Sequence, residues 1–129
     1  MYCLDTSVII DFLNGEEDTV NKIDEILQKG DVYTTPISLF EIYKGIYLYG
    51  QINEEVEIFE KVLQWLPILS FNKEVSNEFG KMYNKLKKKG KLVPEFDLII
   101  ASFVKDNNLI LITRDKKHFN DVGIKVEKW

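Results

Sequence analysis

Four acidic residues stand where a carboxylate could take part in chemistry: Asp5, Glu41, Asp97 and Asp115. Asp5 and Asp115 come at or just after the ends of apolar segments of β-strand type, whereas Glu41 and Asp97 lie in segments with helical patterning. If the fold brings the four together, they cannot all stay ionised without a divalent cation. Carboxylate oxygens at such a density favour Mg²⁺ or Mn²⁺. The pattern therefore indicates a magnesium or manganese site.

Three of these acids also have a local structural explanation. Asp5 precedes Thr6 and could cap the first helix, because a side-chain acceptor there satisfies a free backbone N–H group. Asp97 follows soon after Pro94, where the helix dipole stabilises an acid. Asp115 lies in a polar stretch in which a turn or a cap is the usual role. Taken one at a time, these acids leave the structural and the chemical role open.

Glu41 is harder to explain by local structure. Ser38 followed by Glu41 matches a capping box, but Pro36 makes Thr35 the better N-cap and puts Glu41 inside the helix. Ile37 and Phe40 lie on neighbouring helical positions, so the Glu41 carboxylate is expected close to an apolar face. Because burying an unpaired carboxylate is costly, we expect Glu41 to have a cation nearby.

The sequence has one histidine, His118, and one cysteine, Cys3, which excludes a zinc site built on histidine and cysteine ligands. We interpret His118 as a turn residue rather than a ligand. Asp11, further along the first helix, is expected to face solvent. Cys3 lies in an apolar run and can form no intrachain disulfide, so we expect a buried thiol and a cytoplasmic protein.

The composition predicts one compact domain over residues 1–129, with 45% hydrophobic and 29% charged residues. No apolar run approaches the roughly 20 residues of a membrane span, and the first ten residues have no basic signal-peptide region. A net charge of −4 argues against a nucleic-acid-binding protein. A bound divalent cation can nevertheless reverse the potential of an acidic pocket, so the total charge does not decide the function.

Strand-like and helix-like segments alternate along the chain. Strands are predicted at 2–4, 32–34, 66–71, 109–113 and 124–126, and helices at 6–13, 16–29, from 36 onward, at 54–65, from about 75 to 89 and at 95–106. This alternation is typical of βαβ units. We therefore predict an α/β fold with a central, mainly parallel sheet of about four to five strands and helices on both faces. Ligands bind beyond the carboxyl ends of such strands, where Asp5 and Asp115 are expected.

Four segments around the acids resemble those of the PIN-domain nucleases, and specifically the VapC-type toxins of prokaryotic toxin–antitoxin pairs. They are LDTSVIIDFL at the start, EIYKG around Glu41, DLIIASF from Asp97 and LITRDKKHF around Asp115. They follow the family's order, and the resemblance covers essentially the whole chain. It implies a PIN-like fold in which Asp5, Glu41, Asp97 and Asp115 converge as the catalytic residues of a metal-dependent endoribonuclease.

The resemblance also implies separate roles for the acids. Asp5 and Asp97 would be the main ligands of Mg²⁺ or Mn²⁺. Asp115 would bind the metal directly or through water, and Glu41 would bind it or orient a water molecule. The metal would activate water and polarise the phosphate of an RNA phosphodiester.

Supporting hydroxyl groups and partners are implied as well. Thr6 or Ser7, together with Thr113, would hold the ligands in place. The expected substrate is RNA (tRNA, rRNA or mRNA), and the expected protein partners are a cognate antitoxin and a second copy of the chain in a homodimer. An antitoxin could inhibit by placing a basic side chain among the carboxylates or by covering the cleft.

Two other clusters have both a structural and a functional interpretation. A group of lysines before Asp97 could complement a helix dipole or form a rim that steers phosphate groups. Aromatic residues in the third helix are expected mostly in the core, with some at a homodimer or antitoxin surface. The lysines are Lys85, Lys87, Lys88, Lys89 and Lys91, and the aromatic residues are Tyr43, Tyr47 and Tyr49.

Other functions fit the residues less well. A phosphorelay receiver requires an acid after a middle strand, where this chain has Asn72. A dehalogenase-like phosphatase requires a second aspartate where this chain has Ser7. The alternative that remains is a catalytically idle PIN module that binds RNA or a protein partner.

Overall fold

Four parallel strands form the centre of the fold in a computed structural model that describes residues 1–129. The strands are β1 (Tyr2–Leu4), β2 (Val32–Tyr33), β3 (Ile110–Thr113) and β4 (Lys125–Lys128), in the spatial order β2-β1-β3-β4. The helices are α1 (Thr6–Leu13), α2 (Glu17–Lys29), α3 (Pro36–Tyr49), α4 (Ile52–Leu63), α5 (Lys73–Lys88) and α6 (Glu95–Asp106), and a short 3₁₀ helix (Lys116–Phe119) precedes β4. None of these helices combines the length and apolar character needed to cross a membrane. All strand pairs are parallel, which confirms the predicted α/β fold.

The two central strands bury side chains on both faces of the sheet. Cys3 and Leu111 are buried on one face, mainly against α5 and α6. Leu4 and Ile112 point to the other face, where α1 to α4 cover them. This alternation follows from the two-residue period of a strand. Helices therefore lie on both faces, as the sequence predicts, and the free thiol of Cys3 is buried as expected.

The predicted strand at 66–71 is wrong. Only one isolated parallel bridge forms there, between Thr34 and Ile68. Thr34 N donates to Pro67 O at 3.0 Å, and Leu69 N donates to Thr34 O at 2.9 Å. Pro67 has no N–H group with which to extend the ladder, and β2 beside it has only two residues. The sheet therefore has four strands, at the lower end of the predicted range.

Two helix caps fix the positions of Asp5 and Glu41 relative to α1 and α3. The Oδ1 atom of Asp5 accepts a hydrogen bond from the first backbone N–H group of α1 at 2.8 Å. The Oγ1 atom of Thr35 accepts from Ser38 N at 3.2 Å and so caps α3. Glu41 therefore lies within α3, as predicted from the position of the proline, and does not close a capping box.

Candidate active site

Asp5 lies at the carboxyl end of β1 and is 8% exposed. Its Oδ2 atom accepts a hydrogen bond from Thr113 Oγ1 at 2.7 Å, and its Oδ1 atom accepts one from Thr6 N at 2.8 Å. The backbone N–H of Asp5 donates to Ile112 O at 2.9 Å, which holds the residue beside β3. Asp5 therefore has the capping role and, at the same time, a central place among the acids.

The surroundings of Asp5 disfavour its ionised form. Burial raises the pKa of the Asp5 carboxyl, the hydrogen bonds from Thr113 and Thr6 lower it, and the negative charges of Glu41 and Asp97 raise it again. The net effect is a pKa above the ordinary value. A carboxyl group that is buried next to other acids is stabilised in its charged form by any cation that enters the cluster.

Glu41 reaches the cluster from α3 and is half-buried. Its Oε1 atom accepts a hydrogen bond from Thr6 Oγ1 at 2.9 Å, and Thr6 Oγ1 also lies 3.1 Å from Ser38 Oγ. These hydroxyl groups join the start of α1 to α3. The hydrogen bond from Thr6 agrees with its predicted supporting role. The expected apolar neighbourhood is confirmed only in part, because Ile37 is buried whereas Phe40 is 62% exposed.

Asp97 lies in the first turn of α6, and its carboxylate is paired with the only histidine. His118 Nδ1 is 3.2 Å from Asp97 Oδ2. Burial raises the pKa of Asp97, the charge and hydrogen bond of His118 lower it, and the charge of Asp115 raises it, with a net increase. The prediction that His118 is no more than a turn residue was therefore incomplete, since its ring contacts a predicted ligand. No local pattern could signal this, because the contact depends on how α6 meets the 3₁₀ helix.

Asp115 follows β3 and is the exposed member of the group. Its backbone N–H donates to Thr113 Oγ1 at 3.0 Å, so one hydroxyl group links the positions of Asp5 and Asp115. Next to it, Arg114 N donates to Ser7 Oγ at 3.3 Å. The predicted supporting hydroxyls of Ser7 and Thr113 are therefore both engaged at the end of β3.

The expectation that Asp11 faces solvent is wrong. Its carboxylate is paired with the guanidinium group of Arg114, and only 20% of the Asp11 side chain is exposed. This ion pair raises the pKa of Arg114 further. The contact fastens the loop after β3 to α1, and it is made possible by the adjacent positions of β1 and β3 in the sheet.

Hydrogen bonds join Asp5 to Glu41 through Thr6 and to the backbone of Asp115 through Thr113. The charges of Glu41 and Asp97 raise the pKa of Asp5, and the charge of Asp115 raises that of Asp97. As the side chains stand, however, no three acidic, histidine or cysteine groups are arranged so that they could hold one ion. Mg²⁺ usually keeps several of its waters and is bound through one or two carboxylates. The all-oxygen donor set and the raised pKa of Asp5 fit such a hydrated divalent cation.

The lysine and aromatic clusters lie outside this group. All five lysines predicted as a possible rim are exposed, and Lys91 is paired with Asp121 at 3.5 Å. Tyr43 packs edge-to-face on buried Phe59, as expected for a core residue. Tyr49 is instead 88% exposed. The expectation that most of the aromatic stretch is core is therefore wrong for its last turn.

Comparisons with known proteins give consistent matches over most or nearly all of the chain. The family profile described as "PIN domain" matches residues 2–125. Ribonuclease VapC3 of Methanocaldococcus jannaschii is 36% identical over 99 residues, 77% of this chain and 93% of that protein. Ribonuclease VapC1 of the same organism is 30% identical over 126 residues, 95% of this chain and 84% of that protein. Ribonuclease VapC2 of Haemophilus influenzae is 25% identical over 130 residues, 99% of this chain and 97% of that protein.

The fold of the chain is also similar to that of solved structures. VapBC-1 from nontypeable Haemophilus influenzae superimposes with a TM-score of 0.87 at 25% identity, covering 99% of this chain and 97% of that one. VapBC2 from Rickettsia felis, bound to a promoter DNA fragment, superimposes with a TM-score of 0.92 at 22% identity, covering 99% and 98%. The second likeness concerns the fold alone.

Proposed function

The chain belongs to the PIN-domain family, and from that membership we propose that it is an endoribonuclease and the toxin of a toxin–antitoxin pair. The observation that carries the proposal is the group of four acids at the carboxyl edge of the parallel sheet, in a chain similar to several ribonucleases. Family membership also removes the receiver and phosphatase alternatives. We place the protein in the cytoplasm, where RNA is available and the thiol of Cys3 stays reduced.

We propose Mg²⁺ or Mn²⁺ as the cofactor, with Asp5 and Asp97 as direct ligands and Asp115 as a ligand directly or through water. When bound, the metal supplies an activated water and offsets negative charge on the phosphate. The protein's own contribution is positioning: hydrogen bonds from Thr113 and Thr6 fix both oxygens of Asp5. His118 holds one oxygen of Asp97 in the same way.

Glu41 is suited to orient a water molecule. One of its oxygens is fixed by Thr6 Oγ1, which leaves the other free to accept a hydrogen bond. Its negative charge raises the pKa of Asp5, and Thr6, which holds Glu41, also donates its backbone N–H to Asp5. Removing the carboxylate while keeping the side-chain shape, as in Glu41→Gln, is expected to lower the cleavage rate about 10²–10⁴-fold.

An apolar groove beside Glu41 supports the proposed antitoxin partner. A cavity of about 240 Å³ lies between α1, α3 and α4, and its lining includes Glu41, Ile46 and Ile58. Glu55 also lines it, and its Oε2 atom is buried without a hydrogen-bond partner. Gly50 leaves room for that carboxylate, since a Cβ atom there would lie on top of Oε2. We propose that an apolar antitoxin segment with a basic side chain fills this groove.

The last turn of α3 supports a protein contact as well. Tyr47, Leu48 and Tyr49 are exposed next to one another, although large apolar and aromatic side chains are normally covered. We propose that this patch contacts the antitoxin or a second copy of the chain. Replacing all three residues with serine is expected to abolish either antitoxin binding or the formation of a homodimer. Light scattering of the free protein and of its complex with the antitoxin measures both.

The catalytic proposal is tested with purified, antitoxin-free protein and a mixed pool of tRNA, rRNA and mRNA. Wild type is compared in Mg²⁺, Mn²⁺ and EDTA with Asp5→Asn, and with Asp24→Asn as a control on the exposed side of α2. We expect metal-dependent cleavage by wild type and by Asp24→Asn, and none by Asp5→Asn. Equal cleavage by all three proteins would point to a contaminant and reject the assignment.

The second candidate is a catalytically idle module that binds RNA or a partner. It is favoured by one observation, namely that no three potential ligands are arranged to hold an ion as the side chains stand. It predicts RNA binding without metal-dependent cleavage, and no thermal stabilisation by Mg²⁺ or Mn²⁺. Stabilisation of wild type but not of Asp5→Asn by either cation would instead support the enzyme.

A further inference from the structure

A second cleft of about 390 Å³ lies on the α5 and α6 side of the fold, away from the apolar groove. It is bounded by the second half of α5, the end of α6 and the turn before β4. No aromatic ring lines it. Its charged lining residues are Glu78, Lys81, Lys85, Lys89, Lys105 and Asp121.

Three of the lysines in this cleft have no carboxylate within ion-pair distance. Glu78 is paired with Lys81 at 3.5 Å, and Asp121 is paired with a lysine outside the cleft, also at 3.5 Å. Lys85, Lys89 and Lys105 take part in no ion pair. In a chain with a net charge of −4, a cleft lined by four lysines and two acids is a local exception. Such a patch attracts anions.

Helix dipoles explain each lysine separately but not their convergence. Lys85 lies in the last turn of α5 and Lys105 in the last turn of α6, where a positive charge is favourable. The two helices pack against each other, with Ser102 of α6 contacting Met82 of α5. This packing brings basic residues from two different helix ends, together with Lys89 beyond α5, to one cleft.

Asp97 of the acid group and Lys105 of the cleft lie at opposite ends of α6. Asp97 and Lys105 are both on α6, eight residues apart in sequence, which corresponds to about 12 Å along the helix axis. The phosphates of one strand of a B-form duplex are spaced about 3.4 Å apart along the axis, so a strand stacked in the same way would cover this distance in about three to four nucleotides. An RNA strand cleaved at the acids could therefore continue into the cleft.

We propose that this cleft binds backbone phosphates of the substrate RNA about three to four nucleotides from the cleaved bond, through Lys85, Lys89 and Lys105. The proposal rests on the proposed ribonuclease function. Because no aromatic ring is available for stacking, recognition is by charge and is independent of base sequence. The cleft adds affinity for longer RNA and does not take part in the chemical step.

The test measures RNA binding by fluorescence anisotropy between 50 and 200 mM KCl. The binding proteins carry Asp5→Asn to prevent cleavage, and the ligands are labelled single-stranded RNAs of 20 and 4 nucleotides. One protein also carries Lys85→Gln, Lys89→Gln and Lys105→Gln. The control carries Lys29→Gln, Lys61→Gln and Lys128→Gln, which remove the same charge from exposed positions outside the cleft.

For the 20-mer, each lost phosphate contact is expected to reduce the slope of log affinity against log salt by about 0.7. Loss of three contacts lowers the slope by about 2. Between about 50 and 200 mM KCl, the decrease in affinity of the cleft variant is therefore about 20-fold smaller than that of the Asp5→Asn protein with its lysines intact. The control is expected to retain the parent's slope, and the 4-mer is expected to bind all three proteins equally.

Three outcomes overturn the inference in distinguishable ways. If wild type cleaves RNA in Mg²⁺ but the cleft variant and the control give equal slopes, the cleft proposal fails and the nuclease remains. If wild type does not cleave RNA and the Asp5→Asn protein does not bind it, both proposals fail. A cleft variant that binds RNA normally but binds its antitoxin more weakly would assign the cleft to the protein partner and also reject the proposal.

Discussion

Replacing Thr113 with valine tests how the site holds its central acid. The Thr113 hydroxyl group is fully buried, donates to Asp5 Oδ2 at 2.7 Å and accepts from Asp115 N at 3.0 Å. Valine keeps nearly the same shape and removes both hydrogen bonds. Thr113→Ser is the matched control, because it keeps the hydroxyl group and removes only a methyl group.

The two hydrogen bonds set the size of the effect. A hydrogen bond to a charged group contributes about 1.5–3 kcal/mol to stability, and a neutral one about 0.5–1.5 kcal/mol. We therefore expect Thr113→Val to lower the free energy of unfolding by about 2–4 kcal/mol at pH 7. Thr113→Ser is expected to cost about 1 kcal/mol, the value of one buried methyl group.

The pH dependence gives a second, independent readout. The hydrogen bond from Thr113 lowers the pKa of Asp5 and therefore favours the ionised carboxylate. Its stabilising contribution is fully present above the Asp5 pKa of the folded protein, and much of it is lost as the pH falls through that pKa and the group takes up a proton. The difference between the valine and serine variants is expected to shrink on acidification. In the valine variant the pKa of Asp5 rises further, so the acid limb of the cleavage rate profile moves to higher pH.

Urea unfolding at several pH values measures the stability difference, and metal-dependent RNA cleavage between pH 5 and 9 measures the activity shift. If Thr113→Val and Thr113→Ser have the same stability at pH 7, the hydroxyl group does not hold a charged Asp5. If stability changes but the acid limb of the rate profile does not move, Thr113 has a structural role only. Either result would refute the proposed positioning role.

Three further predictions follow from the same geometry. In EDTA, wild type should gain resistance to urea relative to Asp5→Asn as the pH falls from 7 toward the pKa of an unfolded-state aspartate, because the pKa of Asp5 is raised in the folded protein and its ionised form is therefore the less stable one. An unchanged difference between the two urea midpoints would contradict this. His118→Gln should raise the pKa of Asp97, since the imidazole lowers it, and so shift metal binding measured by calorimetry to higher pH; an unchanged binding midpoint would count against this contact. Cys3, fully buried and with a pKa raised by burial and by Asp5, should react with a thiol reagent only on unfolding, and fast reaction of the native protein would disprove its burial.

The sequence was sufficient to predict the strands β1 and β3, the helices between them and the acids at the strand ends. These features depend on short-range sequence patterns, namely runs of β-branched residues, the 3.6-residue spacing of apolar side chains, and helix caps such as Asp5 and Thr35. The same signals failed at 66–71, where an apolar run looked like a strand but Pro67 and a two-residue neighbour left only one bridge. A local sequence pattern shows which secondary structure a segment is able to form. Whether a strand forms there depends on the neighbouring strand with which it can pair.

Only the tertiary structure decided the contacts that make the acids a site. Thr113 and Asp5 are 108 positions apart, and the parallel register of β1 against β3 brings their side chains to 2.7 Å. Arg114 and Asp11 are 103 positions apart, and they form an ion pair because β1 and β3 are neighbours in the sheet. His118 meets Asp97 because the 3₁₀ helix after β3 packs beside the start of α6. Such pairings depend on strand register and helix docking, which are set by the packing of both faces of the sheet at once and leave no periodic trace in the sequence.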